Sequence, residues 1–398
     1  MKLDKISFEE IFKFNKRIIL FGSGSAVTYN TINILGKDKI EFIYDNAKNL
    51  NESKFEEIDV KYPFDISKEK LIVICSTAIG PISKQLDSYG LVAGEDYVVS
   101  PFLNDRLAIY QLENIKSEFY FTSGSMPDEN SDYGGGFYKL SINREEKKVE
   151  RIYSGSCYGT FPNDNQIFFV DCDNGVMSYD RLTKKISKKF STPIASRAHG
   201  ISINKTNGNF YITCSNLDST IEYDYNFNEI KRFEISKKID FENKAVHHAN
   251  DNYAIGNSLY VSMFSRTGNY RNEVFDGCIL EFDIKTGEKV GVLTSNLYMP
   301  HNISIINGSI HILDSLPGHL KNDNFKIRGT FPAFTRGLSY NEKLYYIGQS
   351  KNRNYSKVQG ISNNISIDCG VIIFDVDTKI SRFIQLPMDI GEIHSIVH

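Results

Sequence analysis

Hydrophobic and polar residues follow two different patterns along this chain of 398 residues. Up to about residue 110, short continuous apolar runs alternate with stretches of helical pattern, which is typical of a parallel sheet buried on both faces. From about Ser117, short strands of alternating polarity follow one another at a spacing of about 8–12 residues, which favours an all-β repeat. The pattern therefore predicts an α/β domain over 1–110 and an all-β domain over 111–398.

The N-terminal domain is predicted to be a small Rossmann-like parallel sheet with helices packed on it. The apolar runs that we predict as strands are Arg17–Phe21, Ile40–Tyr44 and Leu71–Cys75. The helical pattern covers Phe8–Lys16, a stretch that ends near Leu35, and Ile82–Tyr89. A segment over 103–116 also has helical character, and it is expected to link the two domains.

A glycine-containing loop follows the first predicted strand. Gly22 and Gly24 match the opening of a dinucleotide-binding fingerprint, and Asp45 follows Gly24 by 21 residues, where such folds place the acid that binds the ribose. Val27 stands where the third glycine of the fingerprint belongs. Gly22, Gly24 and Asp45 are therefore candidates for binding a nucleotide, with a docking or vestigial role of the domain as the alternative.

A sixfold repeat organises the C-terminal domain. Each unit begins with a polar residue, which we term its leader, and continues through a strand, a turn and a second strand. The leaders lie 41, 49, 53, 35 and 58 residues apart, and they are Tyr158, His199, His248, His301, Arg336 and His394. Repeats of this length are typical of propeller blades, so the sequence predicts a six-bladed β-propeller.

The two ends of the propeller are predicted to meet. The first blade, Phe119–Ser154, lacks an inner strand, and the C-terminal strand Ile393–His398 is free to complete it. Such closure removes exposed strand edges. A second landmark is an Asp at the end of a strand, which is missing from the unit Pro300–Pro332 and is present as Asp180, Asp224, Asp283 and Asp375.

The leaders are predicted to line one channel, because they begin the innermost strands. Imidazole is the commonest transition-metal ligand, so the channel is a candidate site for Zn, Mn, Fe or Ni, held by His199, His248, His301 and His394. The neighbouring His247 faces the other way, and His248 is preferred because His248-Ala-Asn aligns with His199-Gly-Ile. The alternative is that each His is a core residue bonded to a backbone carbonyl.

The predicted catalytic residues are Arg336, Tyr158 and His248. Arg336 is expected to bind the anionic group of the substrate, because a buried Arg requires a carboxylate or phosphate partner. Within the protein, Glu392 is the nearest candidate partner. Tyr158 is a candidate proton donor or acceptor, with simple stacking as the alternative. Further candidates for contact with a ligand are Asn250, Asp251, Asn302, Lys351 and Arg353. For Lys351 and Arg353, a solvated loop is the preferred explanation and binding of an anionic group is the alternative.

The composition of the chain limits the classes of partner that we expect the protein to bind. A net charge of −3 without a basic block argues against nucleic acid. The six Cys are scattered and form no CxxC, which fits a reducing cytoplasm. We expect neither a secretory leader nor insertion into a membrane, since no apolar run approaches about 18 residues. The remaining partners are a small molecule or sugar, a second copy of the chain, or a glycan-assembly protein.

Several segments together resemble a bacterial six-bladed propeller family of uncharacterised function. The segments are Pro300-His301, Phe334–Leu338 (FTRGL), Gly348–Arg353 (GQSKNR) and Cys369–Asp375 (CGVIIFD), and the resemblance extends over about 190–398. It implies the fold and no reaction. His394-Ser395 departs from the aromatic and the acid expected of the family. The N-terminal domain, with Gly94–Phe102 (GEDYVVSPF), resembles small Rossmann-like domains that precede bacterial sugar-modifying modules.

These observations lead to one main functional hypothesis. It is a metal-dependent enzyme of the lyase, epimerase or hydrolase kind that acts on a sugar or another anionic, polyhydroxylated substrate in bacterial surface-glycan metabolism. The sugar part rests on the resemblance of the N-terminal domain. The alternatives are a non-catalytic ligand-binding or scaffold propeller with a docking domain, and a nucleotide-dependent enzyme that uses Asp45.

Overall fold

The computed structural model describes residues 3–47, 53–64, 66, 68–127, 131–351 and 364–398. The chain divides into two compact units, Met1–Ile115 and Lys116–His398. The division lies after the predicted boundary at residue 110, because the predicted linker is part of the first unit. Its Leu103 and Leu107 are buried in the core of that unit.

The first unit is built from short helices and strands in alternation. Its helices are α1 (Phe8–Lys13), α2 (Ala26–Leu35), α3 (Ile79–Ser88) and α4 (Asn104–Glu113). Its strands are β1 (Ile18–Phe21), β2 (Ile40–Tyr44), β3 (Lys54–Phe55), β4 (Ile58–Lys61), β5 (Leu71–Ile74) and β6 (Tyr97–Val99). Ser7 and Ser25 begin the first two helices, since their hydroxyls accept the backbone N–H of Glu10 and Thr28.

The sheet of the first unit is mixed. Its strand order is β3-β4-β2-β1-β5-β6, with parallel pairing throughout except between β3 and β4. Ile19 and Phe21 of β1 lie in one apolar core, and Ile18 and Leu20 lie in the other. Both faces of the strand are therefore covered, which explains its continuous apolar run. The Rossmann-like prediction thus rests on the parallel part of this sheet.

The second unit begins with the three outer strands of its last blade. These are β7 (Lys116–Pro127), β8 (Gly134–Asn143) and β9 (Glu146–Ser154). Blade I follows with β10 (Cys157–Asn163), β11 (Gln166–Asp171), β12 (Gly175–Asp180) and β13 (Ile186–Phe190). Blade II contains β14 (Ala198–Ile203), β15 (Phe210–Cys214), β16 (Ser219–Tyr223) and β17 (Glu229–Glu234).

The remaining blades repeat the four-stranded plan. Blade III contains β18 (Ala249–Ile255), β19 (Ser258–Met263), β20 (Gly277–Asp283) and β21 (Lys289–Leu297). Blade IV contains β22 (Pro300–Ile306), β23 (Ser309–Asp314), β24 (His319–Asn322) and β25 (Lys326–Thr330). Blade V contains β26 (Phe334–Asn341), β27 (Leu344–Ser350), β28 (Gly370–Asp375) and β29 (Ser381–Gln385), and β30 (Ser395–Val397) ends the chain.

The C-terminal strand closes the propeller. β30 pairs with β7, with Ser395 opposite Thr122, and the resulting sheet β30-β7-β8-β9 is blade VI. The innermost strands lie side by side in a ring, and β30 contacts both β26 and β10. The predicted six-bladed β-propeller is confirmed, with its ends joined as expected.

The recurring Asp residues stabilise the turn between the third and fourth strands of their blades. In blade I, Asp180 Oδ1 accepts the backbone N–H groups of Leu182 and Thr183 at 2.9 and 2.8 Å. Such a bond holds an Asx-type turn. Blade IV, which lacks this Asp, has a short third strand followed by a turn in which Asn324 adopts a φ of 55°. Within the described residues, no helix combines the length and apolarity that crossing a membrane requires.

Candidate ligand site on the propeller axis

The sheet register identifies equivalent positions in different blades. The innermost strand of each of blades I to V has one irregularity in its pairing with the second strand. It lies between Ala198 and Ile201 in blade II, and between Ala249 and Asn252 in blade III. The residue directly after Ala198 is therefore equivalent to the residue directly after Ala249.

This register makes Asn250, and not His248, the leader of blade III. Asn250 takes the place that His199 has in blade II, whereas His248 stands two residues earlier, in the place of Arg197. His248 and Arg197 also share a left-handed backbone, with φ of 54° and 50°. The predicted alignment of His248-Ala-Asn with His199-Gly-Ile is wrong by two residues, because it matched residue types rather than the position of the bulge.

Six side chains, one from each blade, meet at the start of the innermost strands. We call this set the leader ring, and its members are Tyr158, His199, Asn250, His301, Arg336 and His394. All are buried. His248 lies at the rim of the ring, with its imidazole stacked on Phe264 at 4.3 Å and 5.9 Å from the His199 ring.

The innermost strands approach one another closely below the leader ring. A Cβ atom on Gly200 would lie 2.7 Å from the Cα of Asp251, and one on Gly159 would lie 2.6 Å from the carbonyl oxygen of His199. Glycine is therefore required at both positions, because the neighbouring backbone fills the space of a side chain.

Asn302 completes a polar partition across the axis at the same level. Its backbone N–H donates to Asp251 Oδ2 at 2.8 Å, and its Oδ1 accepts the N–H of Gly337 at 2.5 Å. Its Nδ2 donates to the carbonyl oxygen of His394 at 3.4 Å. We call this layer of Gly159, Gly200, Asp251, Asn302, Gly337 and Ser395 the septum.

Tyr158 lies between two imidazoles of the leader ring. Its ring centroid is 4.3 Å from that of His199 and 4.4 Å from that of His394, and the two imidazoles are 5.4 Å apart. Gly124 packs against this group, since a Cβ there would lie 2.9 Å from both His394 Nε2 and Tyr158 Cε1. Any side chain at position 124 would therefore displace the two rings.

Arg336 is held by an ion pair and an imidazole. Its Nη1 donates to Glu392 Oε2 at 2.8 Å and to Nε2 of His394 at 2.9 Å. The predicted pairing of Arg336 with Glu392 is confirmed. Because a guanidinium only donates, Nε2 of His394 must accept, which leaves the proton of a neutral His394 on Nδ1.

His301 has a fixed tautomer as well. Its Nδ1 lies 2.9 Å from the carbonyl oxygen of Met299 and 2.7 Å from Oγ of Ser315. A carbonyl only accepts, so Nδ1 carries the proton and Nε2 has the free lone pair. Phe264 and Phe334 flank the imidazole at 5.3 and 5.5 Å.

His247 is a structural residue, as its predicted orientation away from the channel implies. Its Nδ1 donates to the carbonyl oxygen of Ser265 at 2.8 Å, and its Nε2 accepts from Ser236 Oγ at 2.7 Å. Both ring nitrogens are thereby satisfied. Of the adjacent pair, only His248 contacts the imidazole of a leader.

The imidazoles of the cluster are held neutral. Burial, followed by the nearby His394 and His248, lowers the pKa of His199 well below its usual value. Burial and the Arg336 guanidinium do the same to the pKa of His301. Burial and the charge of Arg197 lower the pKa of His248 to about 3. Near pH 7 these groups are therefore neutral hydrogen-bond acceptors, and they become effective bases only where a bound anion raises the pKa again.

The leader ring contains buried polar atoms that have no hydrogen-bond partner within the described parts of the chain. Nε2 of His199 and Oδ1 of Asn250 are such atoms. The amide of Asn250 is otherwise used, since its Nδ2 donates to the carbonyl oxygen of Pro300 at 3.3 Å. An unpaired buried polar group costs about 1–3 kcal/mol, and this cost disappears if a ligand or water supplies the partner.

Arg197 adds a cation at the rim of the leader ring. It is exposed, and its guanidinium has no ion-pair or hydrogen-bond partner among the residues that the structure places. Its charge lowers the pKa of both His199 and His248, which locates it beside them. No sequence pattern points to Arg197, because its role follows from the same bulge register that separates His248 from the leaders.

Residues 176–398 match a family model described as Domain of unknown function (DUF4915). The chain belongs to the DUF4915 family. The match covers more than half of the chain and includes the segments in which the resemblance to an uncharacterised propeller family was seen. No match is found among curated proteins.

Solved propellers resemble this DUF4915 chain at low sequence identity. A chain of a nidogen/laminin complex is 12% identical with a TM-score of 0.48, and covers 71% of this chain and 97% of its own. A protein of unknown function from Bacteroides caccae is 11% identical, with a TM-score of 0.47 and coverages of 70% and 98%. Virginiamycin B lyase from Staphylococcus aureus is 11% identical with a TM-score of 0.42, and covers 71% of this chain and 99% of its own. Likenesses at this level carry no information on activity.

The predicted metal site does not fit the arrangement of the DUF4915 leader ring. In the described residues, no group of three or more His, Cys, Asp or Glu side chains is placed to hold a metal ion. Nε2 of His394 accepts a hydrogen bond from Arg336, so this nitrogen is not free to bind a metal. A positive guanidinium between the imidazoles also opposes a cation. The four predicted ligands therefore lie close together without forming a set of four metal ligands; they are His199, His248, His301 and His394.

The glycine loop of the first unit is tied to its predicted acid. Asp45 Oδ2 accepts both the backbone N–H and the hydroxyl of Ser23 at 2.7 Å, and its Oδ1 accepts the N–H of Ala47 at 2.9 Å. Gly22 and Gly24 have φ of 107° and 74°, so both need glycine. Only Oδ1 of Asp45 retains a lone pair for a ribose.

The remaining candidates divide between the septum and a loop. Asp251 and Asn302 are in the septum. Lys351 is exposed and donates to the carbonyl oxygen of Met388 at 2.7 Å, which supports the alternative of a solvated loop. Arg353 lies outside the described residues.

Proposed function

We propose that the leader ring is the active site of an enzyme of the lyase, epimerase or hydrolase kind, and that its substrate is a small anionic, polyhydroxylated molecule such as a sugar acid. The observation that carries the proposal is the pair of unpartnered atoms, Nε2 of His199 and Oδ1 of Asn250. Both atoms are buried among ionisable groups, which is typical of a binding site. In a core without a ligand, unpaired polar atoms would only cost free energy of folding.

The proposed chemistry is acid–base catalysis by neutral imidazoles. Nε2 of His301 or His199 would accept a proton from the carbon next to the substrate carboxylate. In an epimerase a proton returns to the other face of that carbon, and in a lyase the β-hydroxyl takes a proton from Tyr158 and leaves as water. In a hydrolase the same imidazole would accept the proton of the attacking water.

The arginines would divide two tasks. Arg336 is already paired with Glu392, so its role is to fix the position and the tautomer of His394. The unpaired Arg197 at the rim is the better candidate for the substrate carboxylate. His248, beside Arg197, would contact the substrate as a neutral acceptor. This assignment revises the expectation that Arg336 binds the anion.

Proton exchange with solvent tests the proposal. We expect that the full chain, incubated in D₂O with glucuronate, galacturonate or gluconate, exchanges the C–H next to the carboxylate or eliminates water, as followed by ¹H NMR. His301→Gln should abolish the exchange and His247→Gln, which alters a structural imidazole, should retain it. Exchange that survives His301→Gln and His199→Gln together would overturn the proposal.

The predicted transition metal is tested separately. Elemental analysis of the purified protein, before and after treatment with a chelator, measures whether Zn, Mn, Fe or Ni is present. The proposed proton transfers use the imidazoles themselves, so we expect them to persist in the chelated protein. Loss of the exchange on chelation, with recovery on adding one of these metals, would replace this mechanism by a metal-dependent one.

A second candidate is a ligand-binding propeller without chemistry. It is favoured by the pairing of Arg336 with Glu392, because that pair leaves the ring electrically balanced without any ligand. This candidate predicts binding of a sugar acid without exchange or elimination. The same NMR sample distinguishes the two, since line broadening of the probe reports binding and loss of the C–H signal reports turnover.

The first unit would bind a nucleotide or nucleotide-sugar, or dock the propeller to a glycan-assembly protein. The parallel strands and the loop of Gly22, Gly24 and Asp45 support the former. A nucleotide that copurifies with the chain and is lost in Gly24→Val would establish it. All six Cys are free, which supports a cytoplasmic location. The proposed place in bacterial glycan metabolism rests on the resemblance of the first unit to domains that precede sugar-modifying modules. Cross-linking in the cell tests for a second copy or a partner protein.

A further inference from the structure

A cavity lies on the propeller axis, on the other side of the septum from the leader ring. Its volume is about 390 Å³, within the range of small-molecule sites. All six innermost strands or the turns after them contribute to it, and it extends to Lys205 and Asn307 in two of those turns. We call it the lower cavity.

The lower cavity is separate from the leader ring. None of the six leaders lines it, and its upper end is formed by septum residues such as Gly159 and Asn302. The side chain of Asn302 is bonded to both Gly337 and His394, and therefore closes the axis between the two sites. A ligand in the lower cavity does not depend on the function proposed for the leader ring.

The lining of the lower cavity carries one acid. Among its lining residues, Asp251 is the sole carboxylate and Lys205, in the turn after β14, is the sole cation. Asp251 Oδ2 accepts the backbone N–H of Asn302 at 2.8 Å. Within the described residues, no Lys, Arg or His nitrogen lies within 4.0 Å of the carboxylate oxygens of Asp251, so this carboxylate forms no ion pair there.

The walls of the lower cavity suit a small body with hydroxyl groups. Ile201, Leu338 and Ile396 are apolar, and the rings of Phe161 and Tyr253 lie 6.4 Å apart. Hydroxyls are supplied by Thr160, Ser304, Ser339 and Ser395. An unpaired carboxylate beside aromatic rings favours an ammonium group, which gains from the charge and from the ring faces.

We propose that the lower cavity binds a small hydroxylated organic amine of the amino-sugar type, with its ammonium group against the carboxylate of Asp251 and its hydroxyls toward the Ser and Thr side chains of the wall. The neutral sugar of the same shape lacks the group that the carboxylate requires. The cavity therefore distinguishes amines from neutral polyols.

The ionisation of Asp251 makes the proposed binding depend on pH. Burial raises its pKa to about 6, even though the N–H of Asn302 and the Arg336 guanidinium act in the other direction. An ammonium ligand would favour the charged form and lower this pKa. Binding should therefore weaken as the pH falls from 7 to 5, when Asp251 becomes protonated in the free protein.

Calorimetric titration of the full chain with glucosamine and glucose at pH 7 tests the proposal. We expect glucosamine to bind at least about tenfold more tightly than glucose, a difference of about 1.4 kcal/mol. Asp251→Asn should reduce glucosamine affinity to that of glucose, and Asp377→Asn, at an exposed turn, should leave it unchanged. His199→Phe should also leave it unchanged, because it alters only the leader ring.

Three results would overturn the proposal. One is equal affinity for glucose and glucosamine, which would make the cavity a neutral polyol site. Another is glucosamine binding that Asp251→Asn does not weaken, or that His199→Phe removes. The last is the absence of any heat with glucosamine up to about 10 mM. Should Asp251→Asn fail to fold, the wild-type affinity at pH 5 decides, since an unchanged value there contradicts the role of the carboxylate.

Discussion

Asn250 in blade III occupies the position that His199 occupies in blade II, and each presents one buried polar atom without a partner in the described chain. The two residues differ in chemistry but share a place in the ring. A fold that needed only stability would fill such positions with apolar groups. Their polarity is therefore best explained by a ligand that completes them.

Removing either atom should affect binding more than stability. Asn250→Ala deletes an unpaired acceptor and also the bond from Nδ2 to the carbonyl oxygen of Pro300. Because the gain and the loss are of similar size, we expect the free energy of unfolding to change by no more than about 1 kcal/mol. Glucuronate affinity, measured by calorimetry, should fall at least about tenfold. His199→Phe should act alike. A variant that is severely destabilised and still binds normally would show that these side chains serve packing.

The Arg336–Glu392 pair should show strong coupling. Arg336→Met leaves the Glu392 carboxylate buried without its main partner, which should cost about 3–5 kcal/mol in urea unfolding. Glu392→Gln likewise leaves the buried guanidinium of Arg336 without its anionic partner. The double variant should cost clearly less than the two single costs together. Additive effects would mean that the pair does not act as a unit.

His248 should make the protein sensitive to acid. Its pKa is about 3 in the folded chain and about 6.5 when unfolded, so the unfolded state alone takes up a proton between these values. The stability contribution is complete above pH 6.5 and is lost as the pH falls toward 3. Three Arg charges, those of Arg197, Arg336 and Arg271, oppose protonation together with His394.

The variant His248→Asn tests this dependence, because Asn tolerates the left-handed backbone at this position. Its unfolding free energy, relative to the wild type, should rise by about 2–3 kcal/mol between pH 7 and pH 4.5. His247→Asn removes an imidazole that is bonded at both nitrogens and serves as the matched comparison. Parallel pH curves for the wild type and His248→Asn would contradict the low pKa.

The C-terminal strand should be essential for the propeller. Deleting Ser395–His398 exposes the edge of β7 and removes the bond from Arg181 to the carbonyl oxygen of His398. We expect a large drop in thermal midpoint and aggregation through the free edge. His398→Ala retains the strand and loses contacts of the imidazole, including those with Phe119 and Tyr346, so it should lower the midpoint far less than the truncation. A truncated chain with an unchanged midpoint would contradict closure by β30.

Much of the fold could be predicted from local patterns. The change from continuous to alternating apolar runs separates the two units, and the missing inner strand of the first blade points to its C-terminal partner. Arg336 and Glu392 could be paired because a buried cation demands an anion. Such inferences need only chemistry and order along the chain.

The site could be predicted only in part. A β-bulge determines which positions of different blades are equivalent, and it can change the match by single residues. Matching His248 to His199 by residue type therefore gave the wrong leader, and Arg197 was missed. Asp251 was a candidate, but the cavity that it lines arises from six strands together. The tautomer that prevents His394 from sharing a metal through Nε2 depends on the hydrogen bond from Arg336. Sequence spacing does not encode such bonds.

Binding of a sugar acid at the leader ring is tested by the electron density in crystals of the full chain soaked with glucuronate. We expect a bound sugar acid with an oxygen within about 3.2 Å of Nε2 of His199 and with its carboxylate at Arg197. Density only in the lower cavity, or a ring in which the His199 imidazole turns to a protein partner and no ligand enters, would contradict it.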